Sequence, residues 1–179
     1  MPDSKRVIPL ESNPEIFNEL AHKIGLSPVI LFHDVYSITD PDLLAFLPQP
    51  VFGIMMLFPI TESYEQYRKE QDAKNTNDSK EVTWFKQTIG NGCGLYALLH
   101  LVSNLPQDFI MQDLALNKLL LLQIGPDTTV EEAAALVELL EQSIQLDSNY
   151  GSQGQTEAPP ASDSVEYHFI AYVKGRDNH

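Results

Sequence analysis

A single cysteine, Cys93, stands between two glycines in the run Gln87-Thr88-Ile89-Gly90-Asn91-Gly92-Cys93-Gly94. The thiolate form of cysteine is the nucleophile, and its supply depends on the surroundings. From Leu95 onward, Leu95, Leu98, Leu99 and Val102 fall on one helical face, and Pro106 stops the pattern. Gly90-Asn91-Gly92 is turn chemistry, so Cys93 is expected in the first turn of a helix. Unpaired backbone N–H groups and the positive end of the helix dipole favour a thiolate there. Gln87, six residues upstream, could set a side-chain amide N–H beside the Cys93 backbone N–H, and two such donors form an oxyanion hole. A lone cysteine is also a common small core residue. Glycines on both sides fill a core poorly and let another backbone approach, which favours the nucleophile.

These residues need a scaffold, and the chain has the means to build one. At 179 residues and 43% hydrophobic content it suits one domain with a real core. One cysteine permits no internal disulfide, which fits a reducing compartment, and a cytoplasmic location is expected. No stretch has the length and apolarity of a membrane span, and residues 1–10 lack the apolar run of a signal peptide. The formal charge of −14 argues against nucleic acid and for a basic partner. No clustered Cys/His ligand set is present, so no metal or other cofactor is expected.

The positioning elements are legible in outline. Asn13-Pro14-Glu15 starts a helix as cap, N1 proline and first-turn carboxylate; Ile16, Phe17, Leu20, Ala21 and Ile24 form its apolar face before Gly25. Pro41 and Asp42 begin a short helix to about residue 47. Residues 32–36 and 51–58 read as strands, the second apolar on both faces and so central in its sheet. Residues 61–80 are polar surface, with Arg68-Lys69-Glu70 a solvated face, and Trp84 and Phe85 return to the core. A helical pattern over 108–123 carries Leu114, Leu116 and Leu119. Thr128 and Thr129 cap a helix to about residue 145, with Glu131 and Glu132 as capping-box partners and Leu136, Leu139 and Leu140 as its stripe. Residues 146–164 are rich in Gly, Ser, Gln, Pro and Asp, the composition of a flexible connector. The last strand, 165–173, alternates Tyr167, Phe169, Ala171 and Val173 on one face with Glu166, His168, Ile170 and Tyr172 on the other.

The octet around Cys93 resembles the nucleophile segment of the ubiquitin C-terminal hydrolases, papain-like cysteine peptidases. Four further blocks resemble that family in the same order: Pro9-Leu10-Glu11-Ser12-Asn13-Pro14-Glu15; Tyr36-Ser37-Ile38 with Leu43-Leu44-Ala45-Phe46-Leu47-Pro48; Phe58-Pro59-Ile60; and Tyr167-His168-Phe169-Ile170-Ala171-Tyr172. The resemblance covers nearly the whole chain and is greatest to fungal members. It implies an α+β fold with a central antiparallel sheet flanked by helices, here without the C-terminal strands, residues 1–179 forming one catalytic domain incomplete at its C-terminus. It implies thiol-dependent hydrolysis at the C-terminal glycine of ubiquitin or a ubiquitin-like protein by a monomeric enzyme. Cys93 would be the nucleophile, Gln87 an oxyanion donor, and His168 the general base that later protonates the leaving group. His22, His33 and His100 are expected to be structural or surface residues. The family's loop that crosses over the active site would be residues 146–164, which would admit small or unfolded leaving groups.

The family also uses an aspartate about fifteen residues beyond the histidine to orient the imidazole. Asp177 lies too early for that, in the turn Lys174-Gly175-Arg176-Asp177-Asn178, which is hairpin chemistry with no second strand after it. The chain is therefore expected to lack the family's closing strands, to leave a sheet edge open and to be weakly active or inactive. A catalytically incomplete module that binds ubiquitin is the alternative expectation. An acidic scaffold with Cys93 in its core would explain neither the flanking glycines nor the ordered blocks.

Overall fold

The computed structural model describes residues 5–74 and 82–175. Helix α1 (Pro14–Ile24) begins as its sequence demands. Asn13 is the cap and its side chain accepts the Glu15 N–H, Pro14 opens the first turn, and Gly25 takes φ 129° at the end. All five residues of the expected apolar face are buried. They pack toward α4 (Cys93–Val102), in which every side chain but His100 is buried. A helix apolar all round belongs in the middle of a core, and α4 is that centre.

Strand β1 (Gly53–Pro59) pairs antiparallel with β2 (Tyr167–Val173), so that Phe58 stands opposite His168 and Leu57 opposite Phe169. Phe169 is buried and meets the Phe17 ring edge-on at 5.5 Å, which locks the odd-numbered face of β2 against α1 and α4. The Ile60 N–H donates to the Glu166 carbonyl at 2.6 Å. Even-numbered β2 residues therefore bond toward β1, and odd-numbered N–H groups point to the strand's other edge. Among the described residues no strand pairs with that edge.

Several expectations are corrected. Residues 32–36 are not a strand: the Asn18 side chain takes both the N–H and the C=O of Phe32, at 2.6 and 3.3 Å, and replaces a strand partner. β1 has one neighbour, β2, among the described residues, and is not flanked on both sides. The 108–123 segment is not one helix. The Met111 N–H bonds to the Gly25 carbonyl and the Ser27 N–H to the Phe109 carbonyl, which draws residues 109–111 straight. What remains is a 3₁₀ turn, Gln107–Phe109, and a π-helical piece, Leu116–Leu121, burying Leu116 and Leu120 and leaving Leu114 and Leu119 exposed.

The rest follows the sequence more closely. α2 (Pro41–Leu44) is short, and α3 (Glu62–Lys74) buries no residue. Helix α5 (Val130–Ile144) has a complete capping box between Thr129 and Glu132. Its buried stripe is Ala133, Val137, Leu140 and Ile144, and Leu139 points outward. A turn, α6 (Leu146–Asn149), leads through buried Tyr150 into the polar loop before β2. Phe85 enters the core as expected, whereas Trp84 stays exposed and stacks on His100 at 6.3 Å. No helix is long and apolar enough to cross a membrane.

Candidate active site

The N-terminal strand segment and the loop before α4 are zipped together: the Val7 N–H donates to Gly90 O and the Gly90 N–H to Lys5 O. Asn91 then takes φ 60°, Gly92 is the cap, and Cys93 is the first residue of α4. Gly94 allows the close approach that follows. A Cβ there would lie 3.3 Å from Leu10 Cβ and 3.4 Å from the Phe169 ring, so any larger residue would press on Leu10.

Cys93 is only 7% exposed. Burial pushes its thiol above the usual range, although N–H groups of Phe169, Gly94 and Cys93 itself favour the anion. The helix start thus supplies the donors expected from the sequence, but desolvation outweighs them and the thiol is protonated near neutrality. The Phe169 N–H that reaches Cys93 is one of those on the outer edge of β2, so the sulfur sits at that edge.

A cavity of about 220 Å³ opens above the sulfur, lined by Leu10, Glu11, Leu57, Tyr150, Pro159 and Phe169 among others. Its roof comes from the 146–164 segment, which the sequence reads as a flexible connector. The segment is tied down. Arg6 donates to the carbonyls of Ala161 (3.0 Å) and Asp163 (3.1 Å), and Asn91 donates to the same two at 3.1 and 2.9 Å. Glu11 accepts from Gln155 and Thr156. Near its start, the Asp147 carboxylate accepts the Ile8 N–H at 2.7 Å. These partners are missed by sequence reasoning because they lie 70 or more residues apart and carry no pattern.

The other two candidate residues stand outside this cavity. His168 lies on the even face of β2, edge-on to Phe58 at 6.1 Å and facing α3. Burial lowers its pKa, Arg68 lowers it further and Glu65 opposes, so the imidazole is neutral at pH 7. Gln87 is exposed, and its amide donates to the Ile89 carbonyl at 3.0 Å. Among the described residues no hydrogen bond joins Cys93 to either. His100 is structural, stacked on Phe85 at 5.7 Å with Nε2 2.9 Å from the Phe85 nitrogen. The His22 ring bonds to the Ile30 carbonyl at 2.8 Å. Thr88, beside Gln87, is held by Tyr96 and by Glu138 of α5 at 2.6 Å. No group of three or more His, Cys, Asp or Glu side chains among the described residues is arranged to hold a metal ion. Asp177 lies outside the described residues.

A lone cysteine opening a buried helix, beneath a cleft roofed by a polar strap, defines an α+β protein built to present one thiol. Residues 7–179 match the family described as ubiquitin carboxyl-terminal hydrolase, family 1. The chain is 38% identical over 178 residues to ubiquitin carboxyl-terminal hydrolase YUH1 of Saccharomyces cerevisiae, covering 96% of this chain and 72% of that one. It is 34% identical over 177 residues to ubiquitin carboxyl-terminal hydrolase 3 of Arabidopsis thaliana, covering 96% and 74%. The fold is similar to the Trichinella spiralis UCH37 catalytic domain, solved bound to ubiquitin vinyl methyl ester: TM-score 0.58, 22% identity, 96% of this chain and 71% of that one. The chain belongs to the ubiquitin carboxyl-terminal hydrolase family.

Proposed function

We propose that this protein hydrolyses esters, thioesters and amides at the C-terminal glycine of ubiquitin, acting in ubiquitin-dependent protein catabolism as a cytoplasmic monomer. Residues 1–179 belong to one catalytic domain, and residues 146–164 are the loop crossing over its site. The observation that carries the reading is Cys93 itself, the first residue of a buried helix at the floor of a cleft, with three N–H groups around its sulfur.

Cys93 is the nucleophile. Its Sγ adds to the carbonyl carbon while the thiol proton passes to His168, the general base. The oxyanion takes the Cys93 backbone N–H and the Gln87 amide, which must turn away from Ile89. Collapse expels the leaving group with the proton from His168. Water then cleaves the thioester, freeing the ubiquitin carboxylate and the thiol. A protonated thiol and a neutral imidazole are the correct starting pair for such a transfer. Substrate must bring them together, since His168 faces α3 in the free protein.

That separation favours a second reading, a module that binds ubiquitin without turning it over. Ubiquitin carrying a C-terminal vinyl methyl ester separates the two. The hydrolase forms a covalent adduct visible by intact mass, lost in Cys93→Ala and slowed in His168→Gln. Binding with no adduct would establish the module, and neither binding nor adduct would refute both readings.

A further inference from the structure

We propose that the Glu11 carboxylate is the latch of the strap over Cys93, and that this single side chain sets the size of group admitted to the thiol. The strap leaves buried Tyr150 and returns to the core only at β2. Residues 152, 153 and 155–157 are all exposed, so apolar burial does not hold its first half. Hydrogen bonds must do so.

The two halves are held differently. The second half is fastened at the carbonyls of Ala161 and Asp163, each by both Arg6 and Asn91. Loss of either donor leaves the other. Around residues 154–156 the side-chain hold is Glu11. One carboxylate oxygen accepts the Gln155 N–H at 2.9 Å; the other accepts the Thr156 N–H at 3.0 Å and the Thr156 hydroxyl at 2.6 Å. Bonds to a charged acceptor are the stronger kind. The carboxylate is fixed from behind: Asn13, the cap of α1, donates its N–H to the Glu11 carbonyl and its amide to the carboxylate. Gly154 completes the seat, since a Cβ there would lie 2.7 Å from the carboxylate oxygen. Between the two fastenings, Glu157, Ala158 and Pro159 form the roof of the cavity that holds Cys93. Glu11 is therefore a positioning residue, acting on access through the strap. That the size limit applies to leaving groups of ubiquitin rests on the function proposed above; the latch itself does not.

The test uses the full chain and two altered forms, Glu11→Ala and Gly154→Ala, the second displacing an intact carboxylate. Hydrogen exchange reads the latch: the Gln155 and Thr156 amides should exchange about tenfold faster or more in both variants, with α1 unchanged. Cys93 reactivity reads access. Both variants should raise its rate with a polymer-linked maleimide relative to iodoacetamide, and hydrolysis of ubiquitin fused to a folded domain relative to ubiquitin with a small fluorogenic amide. Exchange at Gln155 and Thr156 equal to that of the unaltered chain would overturn the latch. Faster exchange with an unchanged maleimide-to-iodoacetamide ratio would overturn the control of size. If neither ubiquitin substrate is hydrolysed while exchange and thiol access respond, the latch stands and the hydrolase reading falls.

Discussion

The thiol and the imidazole are both tuned by desolvation, in opposite senses as their charges require. Burial raises the Cys93 pKa, so at pH 7 the folded chain should react more slowly with iodoacetamide than the same chain in urea. Faster reaction when folded would mean that the N–H groups at the helix start outweigh burial. His168 titrates below its ordinary value because of burial first and Arg68 second. A base is active when neutral, so the acidic limb of adduct formation lies below the ordinary histidine range, and activity falls as pH drops through it. Arg68→Ala removes a repelling charge and frees Glu65, with which Arg68 pairs at 3.0 Å. Both changes favour the imidazolium, and the limb should move to higher pH. An unmoved limb in the pH dependence of adduct formation would rule out His168 as the titrating base.

The elements differ in how their stability bears on the site. Helix α5 is anchored at its start by the reciprocal Thr129–Glu132 cap. Thr129→Ala should cost about 1 kcal/mol in urea unfolding, with Cys93 alkylation unchanged, because neither Thr129 nor any residue of α5 lines the cleft. Leu98→Ala, at a fully buried position of α4, should cost about 2–5 kcal/mol. The caps were legible in the sequence because Asn13 and Thr129 act within three residues of themselves. So was the place of Cys93 at a helix start, through its glycines and the apolar period behind it. Residues 32–36 were not, since a polar side chain on α1, Asn18, took the bonds that a strand would have used. Residues 108–123 failed for a related reason: Gly25 and Ser27 paired with 109–111 and stretched the chain. The alternation of β2 follows from its sequence. Which of its faces meets Cys93 depends on the burial of Phe169 against Phe17, a tertiary contact that no local pattern carries.

At the scale of the whole molecule, charge is the dominant long-range feature. Eleven Lys and Arg against twenty-five Asp and Glu leave −14, and some of that charge borders the cleft, where Glu11 and Glu157 line the cavity. An acidic rim raises the local concentration of a basic partner and speeds encounter more than it strengthens the final complex. The net charge argues for a basic partner, and ubiquitin is the partner proposed. Screening should therefore act on association. Raising ionic strength from about 0.05 M to about 0.5 M shortens the screening length from roughly 14 Å to roughly 4 Å. The second-order rate of adduct formation with ubiquitin vinyl methyl ester should fall several-fold over that range. Iodoacetamide, which is neutral, controls for any effect of salt on the thiol or the strap, and its rate should stay level. If the two rates fall together, salt acts on Cys93 or its roof and the acidic surface does not steer. If neither falls, the charge serves solubility, and recognition rests on the contacts inside the cleft.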